Sequence, residues 1–161
     1  GCVMEEKAFW YREYKQGRRF IIKIRPEESI TKCITELVTQ EKINCAVVLS
    51  AIGSVKDVRI KDIKSGARLP ISSPRLVEHD IEGPLELLGL SGNVVPDEDG
   101  KVDCHLHIMA SKSSGDVIGG HMYDATVFAT CEIVLVELNV EGIERYRSKS
   151  GGTPTLFFSE E

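Results

Sequence analysis

Apolar and polar residues alternate along this chain with two different periods, and the boundaries between them outline its elements. Ile30, Cys33, Ile34, Leu37 and Val38 recur at i, i+3, i+4, i+7 and i+8, the spacing that gathers apolar groups on one face of an α-helix. That period predicts a helix from Ser29 to Ile43. Glu27, Glu28 and Ser29 suit its start, because carboxylates and a hydroxyl complement the open N–H groups there.

Most of the remaining chain favours strands. Phe9–Tyr14 and Arg19–Arg25 read as two strands joined by a turn at Lys15-Gln16-Gly17, the second stopped by Pro26, which has no N–H for a ladder. Cys45–Ile52 is a continuous apolar run ending at Gly53, as a buried strand would, and Val55–Ile63 alternates as a half-exposed one. Arg75–Ile81, Leu85–Val95, Cys104–Ala110 and Thr126–Leu138 follow, with shorter stretches at Val117–Met122 and Glu144–Ser148. Gly83-Pro84, Pro96 to Gly100 and Ser113 to Asp116 supply turn chemistry between them. One helix among many strands predicts an α+β single domain, mainly an antiparallel β-sheet with one main amphipathic helix, rather than a parallel βαβ arrangement.

Length and composition fit that picture. At 161 residues, 42% hydrophobic and 28% charged, the chain can bury its own core without staples. The expected domain spans residues 1–161, with a core from about 8 to 148 and a flexible tail, 149–161, signalled by Ser150-Gly151-Gly152-Thr153-Pro154. No apolar run approaches a membrane span and the N-terminus lacks a signal pattern, so no membrane contact is expected. Five scattered cysteines without a C-x-x-C pair point to reduced thiols in a cytoplasmic protein.

Charge is divided unevenly. Residues 1–68 carry 14 Lys/Arg against 9 Asp/Glu, whereas the whole chain has a net charge of −5. An acidic whole argues against a sequence-blind grip on nucleic acid, although the basic part leaves room for a local patch. Thr126–Leu138 has apolar residues on both faces, so something must cover the second one, and another copy of the chain is the readiest supply.

The sharpest chemistry lies in the histidines. In a strand, His105 and His107 share one face while Cys104, Leu106 and Ile108 share the other. A loop from Ser111 to Asp116 turns the chain back and can deliver His121, behind Gly119-Gly120, to the same place. Three converging imidazoles make an open divalent-metal site with a position left for water or ligand. The glycines, lacking Cβ, let backbones approach such a site closely. The plainer account is three unrelated histidines that bond to neighbouring backbone or line a subunit seam. Zinc is the first choice of metal because neutral imidazole suits it, with nickel, copper and iron as alternatives. Asp103 lies on the His105 face as a possible outer partner or fourth ligand, and Glu132 is a second candidate from its own strand. Cys104 points away, and His79 has no visible partner. Arg25, Arg59 and Arg145 are candidates for contact with an anion, with surface ion pairs as the bland account of each. No P-loop, dinucleotide fingerprint or Ser-His-Asp order is present.

Several ordered blocks together resemble one family. They are Arg19 to Ile24, Pro26-Glu27-Glu28, Ala51 to Arg59, Pro84 to Asn93, His105-Leu106-His107, Gly119-Gly120-His121 and Thr130 to Ile133. In this order they resemble the PPC (plants and prokaryotes conserved) domain, over about Arg18 to Arg145. The resemblance implies a mixed domain on an antiparallel sheet, a homotrimer, and the stand-alone prokaryotic type that carries a metal, zinc, at the histidine blocks. It also carries a DNA-binding label from plant nuclear proteins in which the domain follows an AT-hook. The hook core, Arg-Gly-Arg-Pro, is missing, its nearest string being Gly17-Arg18-Arg19-Phe20. The leading expectation is a non-catalytic binding and assembly module, trimeric with zinc, in a DNA-binding or regulatory role. The alternative is a zinc-dependent enzyme that uses metal-activated water on a small substrate.

Overall fold

A computed structural model describes residues 7–147 and 154–161. Its elements run β1 (Lys15–Ile24), α1 (Ile30–Gln40), β2 (Ala46–Ile63), a 3₁₀ turn at Ser73–Arg75, β3 (Leu76–Pro96), β4 (Val102–Ser111), β5 (Val117–Asn139), β6 (Ile143–Arg147) and β7 (Pro154–Phe158). The expected α+β class, a mainly antiparallel sheet with one helix, is what the chain adopts.

Three strands are far longer than expected: β2 has 18 residues, β3 has 21 and β5 has 23. Each joins two stretches that the sequence suggests as separate. Gly53 does not end a strand; it sits at φ +146, where a Cβ would overlap the Thr130 carbonyl oxygen, and the β2–β5 register shifts beside it. Gly83-Pro84 is likewise a bulge rather than a turn, since Val55 faces Leu85 and Asp57 faces Glu82 across it. A Cβ on Gly83 would lie 2.7 Å from the Val55 carbonyl oxygen. Bulges of this kind bend and twist a strand without ending its ladder.

The N-terminus differs in the same way. Lys15-Gln16-Gly17 lies inside β1, not in a turn, and Phe9–Tyr14 forms no strand. Instead the Glu137 carboxylate fills a bulge after Gln16, accepting the Arg18 backbone N–H at 3.0 Å. At the other end, residues 154–158, expected within a flexible tail, form β7 against β6. The Thr155-Leu156-Phe157-Phe158 run carries strand-forming residue types that the preceding glycines and proline disguise. The rest of that expected tail, 149–153, falls outside the described residues.

Helix α1 starts where expected. The Ser29 hydroxyl accepts the Lys32 N–H at 3.2 Å, and Asp124 of β5 accepts from the Ser29 and Thr31 hydroxyls at 2.7 and 2.8 Å. It stops at Gln40 rather than Ile43. Lys42 takes a left-handed φ of 54°, and the Lys42 and Ile43 N–H groups donate back to Thr39 and Val38. This is a Schellman ending with lysine in the place glycine usually holds, so the sequence gives no stop signal.

The five main strands lie in the order β1-β5-β2-β3-β4, and the start of β5 also pairs with β4. The sheet therefore closes into a ring of β2, β3, β4 and β5, with β1 as an outer edge. Leu106, Ile108, Val55, Val58, Val127, Ile133 and Leu135 point inward and are buried, together with Ile30, Ile34 and Val38 of α1. Burying each such side chain contributes roughly 1.5–3 kcal/mol of transfer free energy. On the outer face Ile21 is 86% exposed and Leu49 70% exposed, while Val134 of β5, opposite Ile21, is half-buried. Val136 of β5 is buried.

Candidate metal centre

The closure of the ring brings the histidines together. On β4, Leu106, Ile108 and Ala110 are buried inward, which turns His105 and His107 outward, the first half-buried and the second exposed. The turn after β4 is tied by Lys112 N–H to Asp116 carbonyl at 2.9 Å, and β5 returns antiparallel so that His121 stands directly opposite His107. The three ring centroids are 5.3, 5.3 and 5.4 Å apart, with the rings edge-on to one another at 67–88°. One nitrogen from each ring lies within 4.8 Å of the others. A tetrahedral ion with metal–nitrogen bonds of about 2.0–2.1 Å holds its nitrogens roughly 3.3 Å apart, a gap that side-chain rotation spans. The residues fit a divalent ion: three nitrogen donors from two paired strands, facing one point.

The backbone beneath them is unusually close. Gly92 of β3, at φ +140, sits where a Cβ would overlap the His105 carbonyl oxygen. A Cβ on Gly119 would lie 2.5 Å from the Ile108 carbonyl oxygen, and one on Gly120 would overlap the Asp62 carboxylate. That carboxylate accepts the His121 backbone N–H at 3.0 Å. Burial lowers the pKa of His121, helped by His107 and Lys61 and opposed by Asp62 and Asp103. A lowered pKa keeps the ring neutral, the form that binds metal.

The other candidates are placed separately. Asp103 is half-buried on the His105 face of β4 and close enough for its charge to act on His121, but it is outside the ligand group. Glu132 lies far along β5, exposed between Lys23 and Ile52, and is not brought to the histidines. Arg25 is exposed just past β1, and Arg59 is exposed on β2 between Asp80 and Asp124, so the two are not gathered into one anion site. The side chain of Arg145 is outside the described residues. His79 is exposed on β3 opposite Ile60. Cys104 faces inward near Thr35, as expected. No disulfide joins Cys33, Cys45, Cys104 or Cys131, and burial pushes the Cys131 thiol up to about 12. Sequence reasoning missed Asp62. It reads as one more polar residue near a strand end, and nothing in the alternation shows that its strand ends beside Gly120.

The family model of the Plants and Prokaryotes Conserved (PCC) domain matches residues 11–139. A metal-containing protein from Archaeoglobus fulgidus has a similar structure, with a TM-score of 0.79 and 29% identity over 92% of this chain and 99% of that one. So has a plant- and prokaryote-conserved protein from Pyrococcus horikoshii, with a TM-score of 0.76 and 27% identity over 88% and 92% of the two chains. AT-hook motif nuclear-localized protein 14 of Arabidopsis thaliana is 32% identical over 110 residues, 66% of this chain. The chain spans only 16% to 24% of the length of the curated relatives it matches. Among the described residues no helix is long and apolar enough to cross a membrane.

Proposed function

The chain belongs to the Plants and Prokaryotes Conserved (PCC) domain family, and from that premise we propose a non-catalytic binding and assembly module. In this reading it is a homotrimer in which each chain holds one zinc ion on His105, His107 and His121. The observation that carries it is the near-equilateral triangle of imidazoles across β4 and β5. The group contains imidazoles only, a donor set that suits zinc. Similarity to an archaeal metal-containing protein at 29% identity supports a metal. Bound there, zinc supplies a fixed cross-link between two strands and one open coordination position.

Assembly is supported by the outer face. Ile21 lies opposite Val134, and Leu49 lies in the β2 bulge next to Ser50, the β2 partner of Val134; Ile21 and Leu49 are largely exposed. An apolar strip of this kind is covered most simply by another copy of itself; the count of three follows the family resemblance. Any regulatory role with DNA runs through a partner in this reading, because the chain is acidic and residues 1–161 contain no Arg-Gly-Arg-Pro hook.

Metal analysis of protein purified without an affinity tag tests the proposal. About one zinc per chain is expected, and His107→Ala should lose it, since two imidazoles leave a zinc site incomplete. Metal-free wild-type protein that also fails to take up added zinc overturns it. A hydrolytic or lyase activity that His107→Ala abolishes, with assembly intact, would favour a zinc-dependent enzyme instead.

A further inference from the structure

We infer that Asp62 is a positioning residue for the three-histidine centre: its carboxylate takes the place of a missing strand and fixes the backbone that carries His121. The inference rests on the metal reading above and adds a residue to it. The ladder between β2 and β5 ends at the pair Ile60 and Met122. From His121 back to Val117, β5 pairs with β4 instead. His121 thus stands where β5 changes partners, one residue past its last pair with β2, with its N–H turned toward Asp62. Asp62 Oδ1 accepts it at 3.0 Å.

Two further observations show that this contact is built in. Asp62 is itself held in the β2–β3 ladder opposite Val77, so its carboxylate hangs from a fixed backbone. Both of its oxygens occupy the space that a Cβ on residue 120 would need. Glycine at 120 is therefore the other half of the device, and the Gly-Gly-His string has a separate reason for each glycine: Gly119 clears the Ile108 carbonyl and Gly120 clears Asp62. A carboxylate that accepts a backbone N–H beside a ligand acts on the metal through geometry. It fixes where the His121 ring starts from, while His105 and His107 are fixed by β4. Groups behind the ligands of metal sites typically contribute 10–100-fold in affinity.

The test uses cobalt(II) as the probe, on metal-free full chain, with Asp62→Ala and Asp62→Asn. The amide oxygen of asparagine still accepts the His121 N–H, whereas alanine does not. Asp62→Ala should weaken cobalt binding about tenfold or more and alter its visible d–d bands, while Asp62→Asn stays within about threefold of wild type. In the absence of metal, hydrogen exchange at the His121 amide should accelerate in the alanine variant and not in the asparagine one. Unchanged affinity and spectrum in a folded Asp62→Ala protein overturn the inference, as do equal losses in both variants. Wild-type protein that binds no cobalt would sink the metal reading instead, and the His121 exchange would then decide alone whether Asp62 holds this backbone: unchanged exchange in Asp62→Ala overturns it.

Discussion

Gly92 passes so close beneath His105 that no side chain can stand at position 92. The strand behind the first ligand is thus pressed against the ligand's own carbonyl, and the left-handed φ of +140° leaves glycine as the residue that fits. Gly92→Ala should cost about 1–3 kcal/mol in backbone strain alone, before any displacement of β4. Chemical denaturation measures this, and metal content should fall in parallel. A variant as stable as wild type would show that β3 can move away from β4 at no cost.

Arg18 and Glu137 form a fork-to-fork pair, with Nε to Oε1 at 3.2 Å and the terminal nitrogen to Oε2 at 3.1 Å. Arg18 also donates its backbone N–H to the same carboxylate, and these bonds hold the Glu137 pKa below the ordinary carboxylate value of 4.5. A carboxyl that releases its proton more readily folded than unfolded contributes stability above 4.5. That contribution fades as pH falls through the lower folded value. Glu137→Gln should therefore flatten the acid limb of the stability–pH curve while leaving the β1 bulge able to accept the Arg18 N–H. Urea titrations between pH 3 and 7 would show it; identical acid limbs would remove Glu137 from the account.

The outer strip of Ile21, Val134 and Leu49 makes a separate prediction. Ile21→Glu with Leu49→Glu places two charges on exposed positions of the proposed interface and none in the core. Sedimentation should shift from trimer to monomer with the monomer's secondary structure intact, because buried unpaired charges at an interface cost several kcal/mol. A trimer that survives both changes would move the interface to another face.

The parts of this fold that could be read from residues are those set by local periodicity. The Ile30, Ile34 and Val38 stripe marks the helix, and the two-residue step from His105 to His107 puts both rings on one side of β4. Features decided by distant contacts could not be read. Gly53 and Gly83-Pro84 look like strand ends, and only the opposing strands, Thr130 against the first and Val55 against the second, make them bulges. Lys42 ends the helix without a residue type that announces it. Glu132 shares a strand with His121, but the length of β5 carries the two apart. Asp62 belongs to the site only because β2 ends beside Gly120, a relation of two strands that no pattern within either one records.

A five-residue ladder joins the beginning of β5 to β4. The rings of His107 and His121 meet there, so the histidine group exists only where these two strands are paired. An ion held across that seam would recognise the paired strands and not the unfolded chain. It would act as a clasp, and by mass action every increment of its affinity becomes resistance to unfolding. Chelation should then do more than vacate three nitrogens: it should loosen the circle of strands from the point where it was fastened.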